Sequence, residues 1–176
     1  MFNIIKNSLK KGLLTEKIVF SQELRPRELE SFGQELKEKI LSLFGRSLHL
    51  REVDTGSCGA CESELIALNN PIYDIQRFGI DFVASPRHAD ALVVTGPVSK
   101  NMALALKKAF DAVPEPKFVI TIGDCTANAG IFKQSYYTVG DIQSITGRVA
   151  LHIPGCPPEP LVIIQQLLLF LNRRSQ

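Results

Sequence analysis

The run KFVITIGDC, residues 117 to 125, constrains the fold more than any other stretch. It is apolar at successive positions, and a cysteine closes it. A half-buried strand alternates apolar with polar residues; a strand apolar throughout is covered on both faces. A sheet covered on both faces needs helices on both sides, so the flanking segments must supply them.

They do. After Gly45 the chain alternates between strand and helix patterns. LHLREVD reads as the first strand, IDFVAS as the second, ADALVVTGP as the third, KFVITIGDC as the fourth and RVALHIPGC as the fifth. CESELIALNN, NMALALKKAFDAV and PPEPLVIIQQLLLFLN read as helices between and after them. Pro114 and Pro116 follow the middle helix as stop signals. This alternation implies an α/β fold with a doubly wound, mainly parallel, flavodoxin-like sheet and right-handed crossovers. The boundaries are a helical N-terminal arm over residues 1–45 and an α/β domain over 46–176. In the arm, Phe2, Ile5, Leu9 and Leu13 recur at helical spacing, with Lys6, Lys10 and Lys11 off the stripe. That basic terminal helix suits a membrane surface or a partner subunit as well as its own domain. A second stripe, Leu29, Phe32, Leu36, Ile40 and Leu43, is opened by Pro26 and closed by Gly45, and packing on its own domain is expected.

Net charge is +2, and the chain has no tryptophan. Neither bulk charge nor aromatic pattern points to nucleic acid. No secretory signal pattern opens the chain, and the longest apolar stretch, LVIIQQLLLFL, is too short to span a bilayer and is broken by Gln165 and Gln166. A cytoplasmic location is therefore expected, and thiols stay reduced there. Four cysteines in such a chain point to ligands or catalysts before disulfides.

Cys58 and Cys61 follow the first predicted strand, Cys125 ends the fourth and Cys156 ends the fifth. All four fall at carboxyl ends of strands, the edge where open α/β sheets bind ligands. Gly56, Gly59, Gly123, Gly130 and Gly155 flank them, and glycine lets backbone approach a bulky group closely. Pro157 follows Cys156, as proline follows a cysteine ligand in bacterial ferredoxin runs. The ligand count suits a 4Fe–4S cluster. Two other chemistries share the pattern. CGAC at a strand-to-helix turn is the form of a thioredoxin-like dithiol, which leaves Cys125 and Cys156 without a role. A four-thiolate zinc site also fits the count, although zinc sites pair closely spaced cysteines and the last two here are far apart.

DTGSCGACESE, SPRHADALVVTGPVS, IGDCTANAGIF and IPGCPPEP resemble, in that order, the cluster-bearing small subunit of membrane-bound NiFe hydrogenases. They are similar also to the homologous 20-kDa subunit of respiratory complex I. The resemblance runs from Leu48 to the closing helix. Complex I subunits carry two adjacent cysteines in the first motif; this chain spaces them by two residues, as hydrogenase small subunits do. The resemblance therefore favours the energy-converting hydrogenases, including formate hydrogenlyase-type complexes.

It implies that Cys58, Cys61, Cys125 and Cys156 bind one 4Fe–4S cluster beside the active site of a large catalytic subunit. A NiFe centre there interconverts protons and hydrogen; in complex I-like relatives the same position serves quinone. Implied partners are that large hydrogenase-like subunit, a ferredoxin-like electron-transfer subunit and membrane subunits, on the inner face of the cell membrane. Similar subunits have a glutamate at the position of Glu64, a candidate for proton transfer or cluster tuning; Glu62 is a weaker one, since either carboxylate also suits a helix N-terminus. Arg87 and His88 are candidates for contact with the large subunit, and His88 for titration near neutrality. His49 and His152 read as structural.

Overall fold

The computed structural model describes residues 25–133, 135–140 and 142–174 of the chain. The first expected helix, over residues 2 to 13, lies outside them. Helix α1 spans Arg25–Phe44. It leads into β1 (Leu48–Asp54), α2 (Ala60–Leu68), β2 (Ile80–Phe82), β3 (Ala91–Thr95), α3 (Lys100–Ala112), β4 (Phe118–Ile122), α4 (Asp124–Asn128), α5 (Gln143–Thr146), β5 (Leu151–Ile153) and α6 (Pro160–Arg174). The strands form one sheet in the order β2-β1-β3-β4-β5, and every pairing is parallel. That is the flavodoxin-like order, with its switch point between β1 and β3.

The apolar strands are central, as expected. Every residue of β3 and β4 is buried. Their side chains alternate between two cores. Ala91, Val93, Phe118, Ile120 and Ile122 join Leu36, Ile40, Leu65, Ile164 and Leu168 of α1, α2 and α6 on one face. Leu92, Val94 and Val119 join Leu106 and Ile142 on the other, beneath α3 and α5. A period of two along each strand divides one apolar run between two helical layers.

Helix α1 packs its apolar stripe onto this domain. Gly45 caps it with φ +67°, and its N–H donates to the Leu41 carbonyl at 2.9 Å. The stripe runs through Leu29, Leu36 and Ile40 to partly buried Phe44; Leu43, expected to lie on it, is 39% exposed. A spacing of four, rather than three, carries the last contact to Phe44. Gly33 lets the helix lie close, since a Cβ there would come within 2.3 Å of the Phe78 ring. Arg77 stacks over that ring at 4.4 Å and reaches Glu30 of α1 at 3.0 Å.

The outer strands are shorter than the sequence suggests. IDFVAS keeps only Ile80–Phe82, and RVALHIPGC only Leu151–Ile153. The register aligns four strand ends in one row: Asp54 beside Thr95, Thr95 beside Ile122, and Ile122 beside Ile153. The loops that leave this row carry all four cysteines.

Candidate metal centre

Each thiol is placed by the strand before it. Cys58 lies in the loop after Asp54, and Cys61 in the first turn of α2. Cys125 lies in the first turn of α4, a short helix that begins where the fourth strand, expected to run on to this cysteine, has already ended. Cys156 follows β5.

Asp54 shapes the first loop. Its Oδ1 accepts from the N–H groups of Gly56 and Ser57, both at 2.8 Å, and Ser57 Oγ accepts from the Gly59 N–H at 3.1 Å. Such side-chain turns substitute for backbone pairing where a strand ends. Gly59 then takes φ +85° ahead of α2. Buried Thr55 donates to the Thr95 carbonyl at 2.7 Å and fixes the loop to the end of β3. The next residue there, Gly96, touches the loop backbone, and a Cβ on it would lie 2.6 Å from the Ser57 Cα.

The loops after β4 and β5 are joined directly. The Asp124 N–H donates to the Gly155 carbonyl at 2.9 Å, and the Gly155 N–H donates to Asp124 Oδ1 at 2.8 Å. The β1 loop reaches them across β3, because a Cβ on Gly123 would sit 2.6 Å from Cys61 Sγ. The sulfurs also feel one another. Burial, then Glu62, then Cys125, Cys58 and Cys156 push the Cys61 thiol from its ordinary 9.0 up to about 12. Burial, then Cys156 and Cys58, with Asp124, raise Cys125. Four thiols from three loops thus form one electrostatic group.

Cys58 and Cys156 are exposed, while Cys61 and Cys125 are partly buried. The group opens toward solvent with one sulfur set against the apolar core. None of the four is in a disulfide. Among the described residues, no three His, Cys, Asp or Glu side chains come close enough to hold a single metal ion. A tetrahedral zinc at about 2.3 Å from each sulfur needs them nearly touching. Four thiolates at one edge are also the donor set of a multi-atom iron–sulfur group. The donor set fits such a group, and the missing Cβ at Gly123 leaves room beside Cys61.

The other candidates fall in different places. Glu64 is partly buried on α2, one turn beyond Cys61. Arg87 and His88 are exposed in a turn before β3, at the opposite edge of the sheet from the thiols. The Arg87 N–H donates to Ser85 Oγ at 3.4 Å. His49 Nδ1 lies 3.1 Å from the His88 carbonyl, and His152 Nδ1 lies 3.0 Å from Thr121 Oγ1. Both histidines therefore have hydrogen-bonding neighbours, in keeping with structural roles. Two residues gain weight that spacing did not give them. Asp124 bridges two cysteine loops. Both carboxylate oxygens of Glu62 are buried with no hydrogen-bonding partner. Acidic residues next to cysteines were the available signal; which way they turn is set by tertiary packing.

A family model described as NADH ubiquinone oxidoreductase, 20 Kd subunit, matches residues 58–170, a span that begins at the first thiol and includes the other three. The chain is 40% identical over 131 residues to the probable membrane-bound hydrogenase subunit mbhJ of Pyrococcus furiosus, covering 74% of this chain and 78% of that one. It is 39% identical to formate hydrogenlyase subunit 7 of Escherichia coli, over 74% of this chain and 51% of the relative. Among solved structures, a chain in the membrane-bound sulfane sulfur reductase, an archaeal respiratory membrane complex, superposes with a TM-score of 0.61 at 25% identity, over 85% of this chain and 77% of that one. The thiol-bearing fold and these matches agree: the chain belongs to the family of the 20-kDa subunit of NADH ubiquinone oxidoreductase.

Proposed function

We propose that Cys58, Cys61, Cys125 and Cys156 hold one 4Fe–4S cluster, and that the chain is an electron-transfer subunit of a membrane-associated, hydrogenase-like oxidoreductase. The observation that carries this reading is the convergence of four thiols, from the segments that follow β1, β4 and β5, on one edge of the sheet. The cluster supplies one-electron transfer at a potential set by burial and by hydrogen bonds to its sulfurs.

The chain's own residues do the rest. Cys61 and Cys125 anchor the buried side of the site, and Cys58 and Cys156 close it on the solvent side. The raised thiols favour protons over bare thiolate charge, so loading displaces protons from them. Glu64, one turn along α2, is placed to tune the site or to move a proton beside it. The open edge faces a large hydrogenase-like catalytic subunit, with a ferredoxin-like subunit as electron donor or acceptor and membrane subunits as the anchor. Arg87 and His88 offer a second contact at the far edge. No helix among the described residues is long and apolar enough to cross a membrane, so attachment to the inner membrane face would run through partners. The spacing of Cys58 and Cys61 favours hydrogen chemistry at the large subunit; the family description favours quinone as the alternative.

The test is anaerobic metal analysis with electron paramagnetic resonance on reduced protein, purified with its partners. About four irons and four sulfides per chain are expected, with a reduced-cluster signal that Cys125→Ser and Cys156→Ser each abolish. One zinc and no iron would replace the reading with a structural zinc module. Nickel in the co-purified large subunit assigns hydrogen chemistry; its absence favours quinone.

A further inference from the structure

Beside the thiol group, α2, β1 and the end of β2 line an open pocket of about 360 Å³. Its walls mix apolar residues, among them Leu65, Ile66 and Phe82, with two carboxylates, Glu52 and Glu62. Glu62 stands out because both its oxygens are sealed from water and accept no hydrogen bond. A buried carboxylate without a donor is unfavourable on its own, and a cationic partner arriving from outside relieves it. Glu52 repeats the theme. Burial and then the Glu62 charge raise it, although Thr95 Oγ1 donates to it at 3.3 Å. Arg51 lines the same pocket, and its charge lowers Glu52, the smallest of these influences. Ile66, on the rim, is 72% exposed.

The combination selects an occupant. Two carboxylates lining one partly apolar pocket call for a positive partner. Apolar walls call for a stem that can pack on them, as the methylene chains of lysine and arginine do. A bare metal ion fits poorly, since no three ligating side chains gather here. We propose that this pocket receives a cationic side chain, an arginine or lysine, from the large partner subunit. This rests on the reading that such a subunit docks at the thiol edge; the pocket adjoins that edge through Glu62, the neighbour of Cys61.

The experiment uses the native complex, purified through a tag on this chain, with the large subunit identified by mass. The readout is the salt concentration that releases it. Glu62→Gln and Glu52→Gln should each weaken retention by about tenfold or more. Glu62→Lys should expel the large subunit, and reversal of one of that subunit's arginines or lysines to glutamate should restore it. Iron content is measured on the same samples. Glu52→Gln lies on a strand away from the thiols, so it decides the matter if the Glu62 variants lose iron. Unchanged release in Glu52→Gln and in iron-loaded Glu62→Gln overturns the pocket assignment and leaves the cluster reading standing. Absence of iron from the unmodified complex overturns the cluster reading separately.

Discussion

Asp124 and Gly155 are joined by two hydrogen bonds running in opposite directions, at 2.9 and 2.8 Å. One residue precedes Cys125 and the other precedes Cys156. The pair therefore sets the separation of two thiols that are distant in sequence. Asp124→Ala removes the acceptor for the Gly155 N–H and costs about 1 kcal/mol. With one of the two links gone, iron should leave to a chelator roughly fivefold faster. Release at the unmodified rate would mean that the loops hold their places without this bond.

Gly123 fills a different need. It takes φ +94°, and a side chain there would meet Cys61 Sγ. Gly123→Ala should fold, because the clash falls on one side chain at the sheet's edge, but should take up little iron during reconstitution. Far-ultraviolet circular dichroism checks the fold, and visible absorbance checks loading. Full absorbance in this variant would show that the Cys61 loop moves freely.

The pH dependence of the iron-free chain follows from the thiols. Cys61 is raised from 9.0 to about 12, so in that interval the folded chain holds a proton that the unfolded chain has lost. Stability then falls as pH rises. The contribution is complete below pH 9 and disappears toward pH 12. Urea midpoints of iron-free protein should drop across the accessible part of this range, and Cys61→Ser should flatten the drop. Identical slopes in both proteins would count against the raised thiol.

Gly33→Ala sets two effects against each other. Alanine favours a helix interior by about 1 kcal/mol. Here its Cβ would meet the Phe78 ring at 2.3 Å. Overpacking of this kind costs about 1–3 kcal/mol, so the net effect should be destabilising and visible as a lower urea midpoint. A rise in the midpoint would show that Phe78 has room to turn.

The layered fold was legible because β3 and β4 are almost wholly apolar and helical stripes separate the strands. The gathering of the cysteines was legible for a related reason: each stands just past the end of a strand, and a parallel sheet brings those ends together. What the sequence hid depends on contacts between distant residues. The Asp124–Gly155 pair spans 31 positions, and no local pattern encodes it. Spacing and family resemblance favoured Glu64 over Glu62, yet it is the Glu62 oxygens that the fold buries without partners. The stripe on α1 gave its face but missed its last contact, because the switch from Leu43 to Phe44 is decided by the surface beneath it.

The sheet's margin gives the site a mechanical meaning. β5 is an edge strand of three residues, held to β4 by a short ladder, and Cys156 hangs from its end. An edge this short frays readily. A group gripped at once by Cys58, Cys61, Cys125 and Cys156 would act as a clasp, tying the outermost strand to β1 and β4 and closing long chain loops. Loading would thus fasten one of the sheet's two short edges to its centre.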